Sequence, residues 1–317
     1  MFLPMRNDIR IIAFLAMLLP AALCAAQTGS PGFGILAHRG VHVNWKQGTY
    51  DTGTGCEAVH IYPPRHDYIE NTLRSIGAAI DMGATIVEID MRRTADGALV
   101  AMHDYDLSCR TDGRGRVEDA TLPYLKSLDL GYGYTADDGA THPLRGKGVG
   151  LLPTLAEVFT AFPRASFLVD HKDGSMETAR AFLSLVLSLP EDQQKRIYYW
   201  GPDACYEAVR RESPVRRFLV TRKQMMDWFL PYALTFGLSG VPGTLEGVVI
   251  AMPVGYLWLA WGYPEAFLQR VHAAGARFYL IVDTEEDARR YAAAPVDGIV
   301  TDYIEKVGTY FAPRPRP

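Results

Sequence analysis

The 317-residue chain carries 36 acidic and 32 basic residues, a formal charge of -4. That balance, without a Lys/Arg cluster, gives no sign of nucleic-acid binding. Hydrophobic residues make up 48% of the chain, enough for a large core.

At the N-terminus, Arg6 and Arg10 precede an apolar run over 11–23, which breaks into Cys24, Ala25 and Ala26. A positive start, a short apolar middle and a small-residue end describe a secretory signal peptide over 1–26. The run is shorter than the ~20 residues that span a bilayer comfortably. An uncleaved anchor and a lipidated Cys24 are the competing readings, and bulky Leu23 stands against the second. The expected product is a secreted or periplasmic chain over 27–317. That length suits one large α/β barrel or two ordinary domains.

Short apolar β runs follow at 35–38, 85–91, 166–170, 197–200, 217–220, 247–252, 277–282 and 298–301. Amphipathic helical stretches lie between them, at 71–82, 178–188, 203–211, 264–274 and 285–293. Strand, helix, strand at this rhythm means a parallel sheet. Eight such strands predict a closed (β/α)8 TIM barrel. An open doubly wound sheet is the runner-up, but a Gly-rich phosphate loop is missing after the first strand.

The run 99–102 stands only a few residues beyond 85–91, too close for a parallel crossover. Asp96-Gly97 between them is a hairpin turn signal. A β-hairpin over 92–103 is therefore expected above strand 2. A two-residue loop would set Asp90 opposite His103. Two long segments, 41–68 and an insertion at about 104–150, follow strand ends. In a barrel such loops build the active face. The tail 312–317, with alternating prolines, is expected to be disordered.

Side chains alternate along a strand, so Glu88 and Asp90 share a face at the barrel mouth. Two carboxylates so close repel unless a cation sits between them. Oxygen ligands suit Mg2+ or Ca2+. Asp170 reads as a third metal ligand. Lys172, on the same face, reads as a cation near a phosphate, and His171, on the other face, as a structural histidine. Arg39 can fork onto phosphate oxygens. His38 and His103 then move protons on and off the phosphorus ligands. Glu70 reads equally as a helix N-terminal charge or as a group reaching the site from above.

Once the leader is removed, Cys56, Cys109 and Cys205 remain, an odd count that allows one bridge. Cys56 and Cys109 flank the site and are the natural pair, with three buried thiols as the other reading. Trp200 either lines the site or plugs the core. The aromatic loop 256–263 reads as rim packing, or as a contact for a leaving group or lipid.

These residues resemble the glycerophosphodiester phosphodiesterase family. The match covers His38-Arg39-Gly40, Glu70-Asn71-Thr72, Glu88 with Asp90, Thr94 with Asp96-Gly97, His103-Asp104, and the late motif ending at Asp302. The resemblance implies a TIM barrel with an insertion after the His-Asp strand. It implies a divalent cation held by Glu88, Asp90 and an acid on the next barrel strand, with acid/base roles for His38 and His103. It further implies hydrolysis of deacylated phospholipids to glycerol 3-phosphate and an alcohol. In that chemistry a glycerol hydroxyl attacks phosphorus first and water opens the cyclic intermediate. Asp170-His171-Lys172 departs from the family's Glu-x-Lys, the usual tryptophan near Leu280–Asp283 is missing, and the first loop is unusually long.

The expected partner is thus a small-molecule glycerophosphodiester. Membrane contact is compatible with the sequence but not required by it, and oligomeric state leaves no trace. A phospholipase C- or D-like enzyme acting on intact lipid is the related alternative. A non-catalytic headgroup-binding barrel is the alternative of a different class, and the pair His38 and His103 argues against it.

Overall fold

The computed structural model describes residues 32–46 and 56–311. The segment read as a signal peptide and the proline-rich tail lie outside the described residues. Among the described residues nine strands form one sheet: β1 (Gly34–Ala37), β2 (Ile86–Arg93), β3 (Leu99–Ala101), β4 (Phe167–His171), β5 (Ile197–Trp200), β6 (Arg217–Leu219), β7 (Val248–Pro253), β8 (Arg277–Ile281) and β9 (Gly298–Thr301). Their order is β1-β9-β8-β7-β6-β5-β4-β2-β3, and β1 also pairs β2 in parallel. The sheet therefore closes into a barrel of eight parallel strands, and β3 stands outside it as the antiparallel arm of a hairpin on β2.

Period-two alternation sorts β2 as the sequence requires. Val87, Ile89 and Met91 pack outward into the main core, and Ile86 points into the barrel floor with Leu36, Leu168, Tyr198, Val249 and Tyr279. Glu88 and Asp90 continue the inward row one and two layers up. Above the floor lies a cavity of about 240 Å³, lined by His38, Glu88, Trp200, Asp283 and Asp302 among others.

The hairpin forms, but its register is one residue from expectation. Met91 pairs Ala101, Arg92 pairs Val100 and Arg93 pairs Leu99. The loop holds three residues, closed by Thr94 N–H on the Ala98 carbonyl at 2.9 Å. Gly97 takes φ +90°, the left-handed residue that such three-residue loops need. The Thr94 hydroxyl accepts from Ala98 N–H at 2.9 Å and sits against Asp96, which locks the wider turn. Asp90 consequently lies opposite Met102, whose N–H reaches the Asp90 carbonyl at 3.0 Å, and not opposite His103.

The two long loops share a second core. Val43 and Ile61 of the first, with Ile69 just after it, pack with Leu107, Val117, Leu125, Leu130 and Tyr134 of the insertion, against Val100 and Met102. Cys56 and Cys109 form a disulfide between these loops, and Cys205 is buried elsewhere. Among the described residues no helix is long and apolar enough to cross a membrane.

Candidate active site

Glu88, Asp90 and Asp170 meet at the barrel mouth, where β2 and β4 bring Asp90 beside Asp170 in register. All three are buried, and each offers an oxygen within 4.8 Å of the others. Burial and the neighbouring Asp90 push the Glu88 carboxyl up to about 8. Burial, then Asp90, also raises Asp170. Glu88 Oε1 is buried without a hydrogen-bond partner. Three converging buried carboxylates, one with an orphaned oxygen, form a hard oxygen donor set that fits a divalent cation.

The backbone that presents this cluster is tightly specified. Arg39 and Gly40 turn the chain at φ +55° and +77°, which aims Arg39 N–H at Glu88 Oε2, 2.9 Å away. A Cβ on Gly40 would lie 2.9 Å from the Ser75 carbonyl carbon, so the helix Leu73–Asp81 can approach only a glycine. Thr72 caps that helix, its hydroxyl accepting from Ser75 N–H at 3.2 Å. Asn71, at φ +59°, donates to Asp90 Oδ2 at 2.7 Å and accepts from Asp90 N–H at 3.0 Å. Asn71 therefore fixes both the backbone and the carboxylate of Asp90.

Each predicted histidine has a carboxylate behind it. His38 Nδ1 meets Asp302 Oδ1, and its Nε2 lies 4.0 Å from Glu88 Oε2. Burial disfavours the imidazolium, but Asp302 and Glu88 outweigh that and raise His38 to about 9. His103 Nδ1 is 2.8 Å from Asp104 Oδ1. Burial, then Arg39, lowers the His103 pKa. A ring nitrogen of His103 lies within 4.8 Å of oxygens on Glu57 and Glu70. Arg92 on β2 holds the His103 carbonyl at 2.9 Å, so the hairpin still delivers His103 to the site despite the shifted register.

Lys172 Nζ lies 2.9 Å from Asp90 Oδ1 and also meets Asp170 Oδ2. Burial alone would lower the Lys172 ammonium, but Asp90, Asp170 and Glu88 raise it, so it stays charged. Arg39 is buried and engaged with Glu57 at 2.5 Å, Glu70 at 3.1 Å and Asp90 at 3.4 Å. Its guanidinium therefore faces three carboxylates, and a phosphate reaching it would compete with them. Glu70 is buried beside the site, 3.1 Å from Arg39 and 2.6 Å from Arg110. Burial opposes its charge, but Arg110 and Arg39 hold it down at about 2. His171 sits behind the strand, bonded to Tyr199 OH and Asp173, each at 2.7 Å.

Four charged side chains beside the site had no role assigned from the sequence: Glu57, Arg110, Asp302 and Asp283. Arg110 grips Asp104 with two bonds, Nε to Oδ2 at 2.9 Å and Nη2 to Oδ1 at 3.1 Å. It also reaches Glu70 at 2.6 Å. Asp283 accepts from Asp302 N–H at 2.8 Å. Burial and Asp302 raise the Asp283 carboxyl to about 6.

The profile of the glycerophosphoryl diester phosphodiesterase family matches residues 38–306. The chain belongs to this family. A glycerophosphodiester phosphodiesterase of Caldanaerobacter subterraneus subsp. tengcongensis is 35% identical over 237 residues, 74% of this chain and 88% of that one. Mouse glycerophosphodiester phosphodiesterase 1 is 40% identical over 181 residues, 56% of this chain and 50% of the mouse protein. In fold, the chain is similar to a family domain from Mycobacterium tuberculosis, with TM-score 0.64 at 19% identity, covering 88% and 98% of the two chains. It is also similar to an Oleispira antarctica phosphodiesterase solved with its product sn-glycerol-3-phosphate, with TM-score 0.58 at 20% identity, covering 87% and 96%. As a family member the protein is a phosphoric diester hydrolase of the glycerophosphodiester class. The family depends on a divalent cation, in keeping with the acids at the mouth.

Proposed function

We propose that this enzyme hydrolyses glycerophosphodiesters to glycerol 3-phosphate and an alcohol at the barrel mouth, with His38 and His103 as its acid/base pair. The observation that carries this reading is the buried cluster of Glu88, Asp90 and Asp170, with an imidazole on a carboxylate partner beside it. The three acids would hold Ca2+ or Mg2+, which when bound neutralises charge on the phosphate. Lys172, and Arg39, whose Nε faces Asp90 Oδ2 at 3.4 Å, supply further positive charge toward the phosphate.

Asp302 and Asp104 each engage Nδ1 of their histidine, which leaves Nε2 for proton transfer. One imidazole takes the proton of the substrate's glycerol hydroxyl as its oxygen bonds phosphorus. The other protonates the alcohol as its P–O bond breaks. In the second half water attacks the cyclic phosphate and the roles reverse. The apolar cavity wall beside Trp200 offers room for the glycerol moiety.

Purified enzyme given glycerophosphocholine should release choline and glycerol 3-phosphate. A chelator should stop release, and added Ca2+ or Mg2+ should restore it. No release from any glycerophosphodiester, or release that persists after prolonged chelation, would overturn the reading.

A second reading, action on intact lipid, is favoured by one surface. Trp258 is 73% exposed and Leu238 86%, on loops joined by Phe236 against Trp261 at 4.8 Å. Product from phosphatidylcholine vesicles as well as from glycerophosphocholine would support it. We also propose export through the leader over 1–26. The Cys56–Cys109 disulfide fits an oxidising compartment. N-terminal sequencing of the secreted protein, expected to begin at Gln27, tests this.

A further inference from the structure

The two disulfide-bonded cysteines each stand next to a buried charged residue of the site. Cys56 precedes Glu57, which holds Arg39. Cys109 precedes Arg110, which forks onto Asp104, the carboxylate behind His103. Glu57 and Arg110 also approach each other at 3.6 Å, and Glu70 bridges Arg39 and Arg110 at 3.1 and 2.6 Å. The Tyr134 hydroxyl, 2.5 Å from Arg110 Nη1, closes the ring of contacts. The bridge therefore joins two loops at the point where their charged side chains meet.

We propose that the Cys56–Cys109 disulfide and Arg110 are a positioning device for His103. The covalent link fixes Arg110 against Glu57, Arg110 fixes the Asp104 carboxylate, and Asp104 fixes the imidazole. Arg110 and the two sulfurs touch no substrate in this scheme, and act only through Asp104. An Arg guanidinium suits the role because its planar fork fixes both oxygens of one carboxylate, which a lysine cannot do. Displacing a catalytic group by about 1 Å can cost on the order of 100-fold in rate, so a loosened loop would be felt in turnover before it is felt in the barrel. The inference rests on the reading of His103 as an acid/base group.

The test compares oxidised wild type, wild type reduced with dithiothreitol, the Cys56→Ala/Cys109→Ala pair, Arg110→Lys and Arg110→Met. Turnover of glycerophosphocholine is measured well below each protein's unfolding midpoint, in the wild-type and His103→Ala backgrounds. We expect the reduced enzyme, the cysteine pair and Arg110→Met to lose about 10-fold or more in kcat, with KM changed less than about 2-fold. Arg110→Lys should retain part of the rate. In the His103→Ala background the same changes should cost nothing further, because effects that pass through one group are not additive. Unchanged kcat on reduction and in the pair, or an equal loss with His103 already removed, overturns the proposal. Reduced wild type gives the same comparison if the cysteine pair does not fold. An oxidised wild-type enzyme without turnover would instead overturn the parent reading.

Discussion

Replacing Arg39 with methionine tests whether its main work is to hold the acids together. The guanidinium sits 2.5 Å from Glu57, 3.1 Å from Glu70 and 3.4 Å from Asp90, all buried. Methionine fills a similar length but leaves those carboxylates short of one cation. Arg110 still faces Glu70 and Glu57, so the loss is less than a fully isolated charge would suffer. Removing one partner of a buried ion pair costs about 3–5 kcal/mol, and we expect the lower part of that range at pH 7. The pH dependence follows from Glu70, held at about 2 by Arg110 and Arg39 despite its burial. A depressed carboxylate contributes stability above its unfolded pKa of about 4.3 that is lost as pH falls toward the folded value. The variant forfeits part of that contribution, so the gap between the two proteins should be full at pH 7 and narrow below pH ~4. Urea unfolding followed by tryptophan fluorescence at pH 7, 5 and 3 measures it. A loss below about 1 kcal/mol at pH 7, or one that stays constant as pH falls, would refute the reasoning.

Asn71→Ala removes both bonds to Asp90 and leaves alanine at φ +59°. We expect the Ca2+ or Mg2+ concentration for half-maximal activity to rise by about 10-fold or more, as for other partners of ligating carboxylates; an unchanged metal titration would count against that placement. Gly40→Ala meets the Ser75 backbone and an unfavourable φ, and should destabilise by about 1–3 kcal/mol in thermal or urea unfolding. Asp173 accepts from His171, Ser175 N–H and Thr178 at 2.7 to 2.8 Å, and despite burial these donors hold it at about 2. Asp173→Asn should therefore cost about 2 kcal/mol at pH 7, with the difference vanishing as pH drops from about 4 toward 2. His38→Ala and His103→Ala should each lower kcat by ~100-fold or more at unchanged fold, read by circular dichroism.

The barrel was legible because its strands are short apolar runs at a regular spacing, and periodicity survives in a single sequence. Glu88 and Asp90 were legible for the same reason, since alternation sends them to one face, whereas Asp170 joins them through the pairing of β4 with β2. The hairpin register was lost to a local detail: Asp96-Gly97 suggests a two-residue loop, but the Thr94 hydroxyl on Ala98 N–H stabilises a three-residue one. Asp302 carried a visible motif but no visible partner. It reaches His38 only because β9 returns beside β1 when the barrel closes, 264 residues away in sequence. Glu57 and Arg110 were hidden differently. Each sits in a long loop without periodicity, and only the packing of one loop on the other shows that their charges meet.

Equilibrium dialysis of Ca2+ against wild type and Glu88→Gln, with glycerol 3-phosphate release measured on the same samples, bears most directly on the acid cluster at the barrel mouth. We expect one ion per wild-type chain, loss of that ion in Glu88→Gln, and product release that rises with occupancy. Full release by a wild-type protein that binds no ion, or tight binding retained in Glu88→Gln, would contradict the assignment of these acids as the cation site.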